Sequence, residues 1–151
     1  MATINNWFNT HSDAILVTDK VNDPIDFSNS FIGKNRLMME LFSLKAVKEG
    51  ISSGIKSAMP SKKNLKKTKS DKVAFLKKLG ITDIVNSRRI INKKVGLVRE
   101  LVDAGIHIYA FHIHFDEGKD EAYVACNEHQ YFYGIYADDW NFNESLNCAN
   151  H

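Results

Sequence analysis

The sequence predicts an α/β fold in which parallel strands alternate with helices. Six short apolar runs of strand length are separated by longer segments of helical period. Three of the candidate helices end in glycine, and each glycine stands directly before an apolar run, at Gly54-Ile55, Gly80-Ile81 and Gly105-Ile106. Glycine at that position is the turn chemistry of a short connection that needs a left-handed residue. Such alternation argues for parallel strands with right-handed crossovers, as in a doubly wound sheet or a section of a closed barrel, and the pattern itself does not choose between them.

The first predicted strand is Ala14 to Thr18, flanked by Asp13 and Asp19. The next are Leu37 to Phe42, Ile55 to Met59, Ile81 to Val85, Ile106 to Phe111 and Tyr133 to Ala137. Ser43 can cap a helix beginning at Leu44, with Ala46, Val47 and Ile51 as its apolar stripe. A second helix spans Lys72 to Leu79. A third runs from Lys94 to Ala104, with Val95, Val98, Leu101 and Val102 on one face.

At 151 residues, 44% hydrophobic and 25% charged, the chain has the composition of one ordinary domain with a core. We expect a single domain over residues 1–142 and a tail over 143–151. No run approaches the ~18 apolar residues of a membrane span. The first residues lack the basic and apolar regions of a signal peptide, so the expected location is cytoplasmic. Cys126 and Cys148 fit neither a zinc spacing nor a disulfide framework, and read as a buried thiol and a tail thiol. The net charge of +2 does not point to nucleic acid. Basic residues concentrate between Ser61 and Leu79, eight lysines against Asp71, but no aromatic residues interleave with them as a stacking platform requires.

Several of these segments, taken together, resemble the glycerophosphodiester phosphodiesterase and phosphatidylinositol-specific phospholipase C superfamily of TIM barrels. Ile4-Asn5-Asn6-Trp7-Phe8 followed by Ala14 to Lys20 resembles the helix and third strand of such a barrel. Arg36 to Phe42 followed by Ser43 to Gly50 resembles the fourth strand and its helix. Val98 to Phe111 resembles the helix-glycine-strand unit before the last strand, and Tyr133 to Asp139 the closing strand. The resemblance runs from about Ile4 to Phe142 and implies a partial TIM-type barrel, strands three to eight. The family's N-terminal elements, a His-Arg-Gly-like first strand, a Glu-x-Asp second strand and a following His-Asp pair, have no counterpart in this sequence. Those elements supply the family's two catalytic histidines and most of its metal ligands.

In a barrel, functional groups gather at the carboxyl ends of the strands. The candidates are therefore Asp19 and Lys20, Glu40, Asn86 to Arg89, His112 and His114, and Asp138 and Asp139. Asp19 resembles the family's third-strand acid and is a candidate metal ligand, with a capping role as the plainer alternative. Strand alternation would point Asp19 and Lys20 to opposite faces. Glu40, inside an apolar strand, should face a polar lumen or meet a cation, either a metal or a neighbouring strand's Lys or Arg. Arg88 is a candidate phosphate clamp. His112-Ile113-His114 places both imidazoles on one face of an extended strand, suited to a phosphate or a metal. Trp140, with Tyr123, Tyr131, Phe132, Tyr133, Tyr136 and Phe142, is a candidate wall of a ligand mouth, core packing being the alternative.

The resemblance implies a phosphoric diester hydrolase that acts on phosphodiester lipids or their headgroup products with a divalent metal, calcium or magnesium. Without the N-terminal elements, inactivity of this chain alone is the expectation. The alternative is a non-catalytic segment that binds a phosphate ligand or a protein and is closed by a complementing chain or a second copy along its open edge. A nucleotide-binding doubly wound domain is a weaker reading, because neither glycine-rich phosphate motif occurs.

Overall fold

A computed structural model describes residues 1–68, 71–138, 140 and 145–150. The chain divides into two compact units, Met1–Asp83 and Ile84–His151.

The first unit begins with helix α1 (Ala2–Thr10) and strand β1 (Leu16–Thr18). Helix α2 (Pro24–Ser30) follows, started by Pro24 at its first turn and by the Asp23 carboxylate, which accepts the Asp26 N–H. Strand β2 (Leu37–Leu41), helix α3 (Leu44–Ser52), strand β3 (Ser57–Pro60) and helices α4 (Lys62–Lys67) and α5 (Lys72–Lys78) complete the unit. The strands form one parallel sheet in the order β1-β2-β3. Leu16, Val17 and Thr18 stand opposite Leu37, Met38 and Met39, and Glu40 stands opposite Met59.

Leu37, Met38, Met39 and Leu41 of the central strand are all buried, on both faces, as expected of a parallel strand covered on each side. Ser43 caps α3 by accepting the Ala46 N–H at 3.1 Å. Ala46 and Val47 of the predicted stripe are buried, whereas Ile51 is largely exposed. Gly50 takes its place against the sheet, where a Cβ would come within 2.9 Å of Ala58 Cβ and 3.1 Å of Leu41 Cδ1.

The second unit carries strand β4 (Asp83–Ser87), helix α6 (Ile90–Asp103), strand β5 (His107–Phe111), helix α7 (Glu121–Asn127) and the two-residue strand β6 (Gly134–Ile135). These strands form a second parallel sheet in the order β4-β5-β6. Helix α6 starts four residues earlier than its periodicity predicts and bends at Lys94, whose backbone leaves the helical region. Of its predicted apolar face, Val98 and Leu101 are buried, whereas Val95 and Val102 are exposed. Gly134 lies opposite Tyr109, whose ring occupies the space a Cβ would need.

All six predicted strands overlap observed ones, and Gly54, Gly80 and Gly105 have the positive φ expected of them. The α/β class with parallel strands is therefore present. The strands fall into two sheets of three, not a closed barrel. Helices α2 and α7, each of seven residues, are not among the predicted helices.

The expectation of two free thiols is overturned: Cys126, in the last turn of α7, forms a disulfide with Cys148. They stand 22 positions apart in sequence, and their Cα atoms lie 5.3 Å apart, within bridging range. The spacing carries no local signal; the fold brings the chain back. Among the described residues, no helix is long and apolar enough to cross a membrane.

Candidate functional site

Parallel strands deliver their carboxyl ends to one edge of a sheet, and in α/β folds that edge is where ligands meet the chain. In each unit the charged candidates lie at such an edge.

In the first unit, β1 ends at Thr18, and Asp19 and Lys20 follow it. Strand alternation no longer governs the two side chains there, so instead of diverging they form an ion pair, Lys20 Nζ to Asp19 Oδ2 at 3.1 Å. Both are well exposed, and the pair adds little to stability. Glu40, near the end of β2, is one step beyond the Thr18-Met39 pairing, beside Asp19. Burial of Glu40 pushes its carboxyl above the usual value; the Asp19 charge adds to the rise and Lys20 opposes it. At the same edge the buried Thr18 hydroxyl has no hydrogen-bond partner among the described residues.

Two carboxylates and an unsatisfied hydroxyl are donors suited to a hard cation, since magnesium is held by one or two carboxylates with water completing its shell. They are a partial ligand set. Among the described residues, no three His, Cys, Asp or Glu side chains form a group able to hold a metal ion.

In the second unit, an open cavity of about 360 Å³ lies beyond the carboxyl ends of the strands, lined on its polar side by Arg89, His112, His114 and Asp138 and on its apolar side by Phe111, Ile113, Phe115 and Tyr136. Its volume is within the ~300–1,000 Å³ usual for small-molecule sites. Strand β5 stops at Phe111, and His112 adopts a left-handed backbone with φ +57°. The two histidines thus do not share an extended strand as expected, yet the turn brings both to the same cavity. A non-glycine residue in this region costs on the order of 1–3 kcal/mol, a strain typical of functional loops.

Each imidazole is oriented by a neighbour. His112 Nδ1 lies 3.2 Å from Ser87 Oγ, the buried hydroxyl at the end of β4. His114 Nε2 lies 2.9 Å from the carboxylate of Glu121, the first residue of α7. Glu121 is buried, which by itself would raise its pKa. Its own backbone N–H, the Asp138 N–H and the His114 ring together outweigh that penalty and hold the carboxyl below its usual range. Asp120 fixes the start of α7 by accepting the Tyr123 N–H at 2.9 Å, which places Glu121 facing inward.

Arg88, the expected phosphate clamp, does not reach this cavity. It is 1% exposed, its Nε and Nη2 donate to the two oxygens of Glu128 at 2.7 and 2.6 Å, and its Nη1 donates to Asp116 at 3.0 Å. A guanidinium so buried, and held by two carboxylates, is closed to a ligand from solvent. The next residue, Arg89, takes the cavity position, its guanidinium centre 4.1 Å from the Phe115 ring centroid. Adjacent residues leaving a strand point in different directions, and nothing in the Arg88-Arg89 doublet indicates which one is buried.

Asp138 lines the cavity as expected. Trp140 is half-buried and is not one of the lining residues. Asp139, Phe142 and Lys69 lie outside the described residues. Ser87 lies within the candidate stretch Asn86 to Arg89, whereas sequence reasoning missed Glu121, whose only local trace is the Asp120 cap that precedes it. Compared with family models, with curated proteins and with solved structures, the chain matches none.

Proposed function

We propose that this chain is the phosphodiesterase-like part of a (βα) barrel, corresponding to strands three to eight, that binds a phosphodiester or its headgroup product and does not hydrolyse it alone. The observation that carries this reading is the adjacency of Asp19 and Glu40 at the carboxyl ends of neighbouring parallel strands, where burial and like charge already strain the Glu40 carboxylate. In this reading the Asp19 and Glu40 carboxylates of the first unit hold calcium or magnesium with Lys20 beside them, and in the second unit His112, His114 and Asp138 are ligand contacts of that unit's own cavity. A divalent cation there would neutralise the nonbridging phosphate oxygens. Acid–base groups of the kind the family carries in its N-terminal elements are the missing component.

A second reading, a non-catalytic segment closed by a complementing chain, is favoured by β1. It is an edge strand, yet its Val17 is 40% exposed and the preceding Ile15 46% exposed. An apolar parallel edge of this kind favours addition of a further strand. The Cys126–Cys148 disulfide belongs to oxidising compartments and argues against the cytoplasmic location expected from the sequence.

The test is turnover of bis(p-nitrophenyl) phosphate and glycerophosphocholine with added calcium or magnesium. No hydrolysis is expected from the isolated chain. Robust metal-dependent turnover that is abolished by Asp19→Ala would overturn the inactive reading.

A further inference from the structure

The cavity of the second unit, whose histidines and Asp138 the reading above takes as ligand contacts, also holds Arg89, which that reading does not use. Four of the charged groups around it are neutralised within the protein. Arg88 is satisfied by Glu128 and Asp116, and Glu121 by His114 and the Asp138 N–H. Arg89 is different. Its guanidinium centre lies over the Phe115 ring, 4.1 Å from the centroid, and among the described residues no carboxylate pairs with it. A cation–π contact of this kind holds the guanidinium at the ring without using its N–H groups, which suit recognition of a pair of oxygens.

The two imidazoles point to the same chemistry. His112 uses Nδ1 on Ser87 and His114 uses Nε2 on Glu121. Each ring therefore keeps one nitrogen, Nε2 of His112 and Nδ1 of His114, with no protein partner among the described residues. The strained backbone of His112 is held by the Ser87 contact and by the Arg88 N–H bond to the Phe111 carbonyl at 2.9 Å. A preorganised cation beside two half-used imidazoles, in a small cavity at the carboxyl ends of parallel strands, is a receptor for an oxyanion.

We infer that this cavity binds a small phosphate anion, free or as a monoester, through Arg89, His112 and His114. Asp138 accepts a hydroxyl of the ester, and Phe111 and Tyr136 flank its organic part. The choice of phosphate among oxyanions rests on the phosphodiester reading; the site itself rests on the geometry of Arg89 and the two histidines.

The test is calorimetric titration of the full chain, in low salt and at slightly acid pH, with inorganic phosphate, with ribose 5-phosphate and with sulfate. Saturable one-to-one binding of both phosphates is expected, and Arg89→Gln should weaken it by about tenfold or more, the loss of a charge-assisted hydrogen bond. Arg89→Lys should retain part of the affinity. Asp138→Asn should weaken ribose 5-phosphate relative to inorganic phosphate. Circular dichroism and thermal melting of each variant establish that the fold is intact, and Lys63→Glu in the first unit controls for general charge. Phosphate binding that is unchanged in folded Arg89→Gln, or that falls equally in Lys63→Glu, would overturn the assignment. Equal affinity for sulfate would retain the oxyanion site and sink the phosphate reading, whereas phosphate binding without hydrolysis leaves the inactive reading standing.

Discussion

Arg88 and Glu128 form a bidentate ion pair, Nε to Oε2 at 2.7 Å and Nη2 to Oε1 at 2.6 Å, with both side chains buried. The pair links the end of β4 to the residue that follows α7, and Asp116 adds a third bond from the loop after β5. Removing Glu128 leaves the buried Arg88 charge with only the partly exposed Asp116 as partner, and breaking a buried pair costs up to about 3–5 kcal/mol. Glu128→Ala should therefore lower unfolding stability by that order in a urea titration. An Arg88→Met/Glu128→Leu double variant should lose less than the single variant. A double variant less stable than Glu128→Ala would mean that the pair contributes more than mutual compensation.

Loss of the Cys126–Cys148 bridge enlarges the conformational freedom of the unfolded chain. For a loop of this length the chain-entropy estimate is about 3 kcal/mol. Urea unfolding of a Cys126→Ala/Cys148→Ala variant should show a loss of that order. The parent treated with a dithiol reductant should approach the same midpoint. A midpoint unmoved by either treatment would show that the bridge is not formed in solution.

Glu40 gives a pH dependence with a definite sign. Its folded pKa lies above the ordinary 4.5, because burial and Asp19 disfavour the charged form more than Lys20 favours it. Between the ordinary and the folded value, the folded chain binds more protons than the unfolded chain. Stability therefore falls as pH rises through that window, and the penalty persists at neutral pH. Glu40→Gln should raise the melting temperature at neutral pH and change it little below the ordinary value. Added calcium should stabilise the parent more than this variant, measured by the same melting experiment. A larger loss at neutral than at acid pH would show that the Glu40 charge is stabilised.

Gly50 tests the packing of α3 on its sheet. Alanine is the better helix former by about 1 kcal/mol. At this position its methyl group would press on Ala58 Cβ and Leu41 Cδ1, both in the core. Overpacking costs about 1–3 kcal/mol, so the balance favours glycine. Gly50→Ala should therefore destabilise the chain, by up to about 2 kcal/mol, in a thermal or urea melt, whereas Gly96→Ala, where a Cβ meets nothing within 4 Å, should not.

The sequence by itself determined the alternation of strands and helices, because that information is local. Apolar runs of five or six residues, a serine before Leu44, and glycines at 54, 80 and 105 act through the backbone of their immediate neighbours, and the structure realises each of them. The candidate residues at the ends of strands were legible for the same reason: once Phe111 ends a strand, His112 and His114 must lie near the sheet's carboxyl edge. Tertiary structure decided the rest. Whether Arg88 or Arg89 meets solvent depends on carboxylates 28 and 40 residues away in sequence. The orientation of His114 depends on Glu121, and the fate of Cys126 on Cys148, through chain returns that no periodicity encodes. The division into two sheets of three is likewise a matter of pairing between distant segments. Local propensity selects the elements, while burial, charge compensation and strand pairing between remote segments select which of their side chains can act.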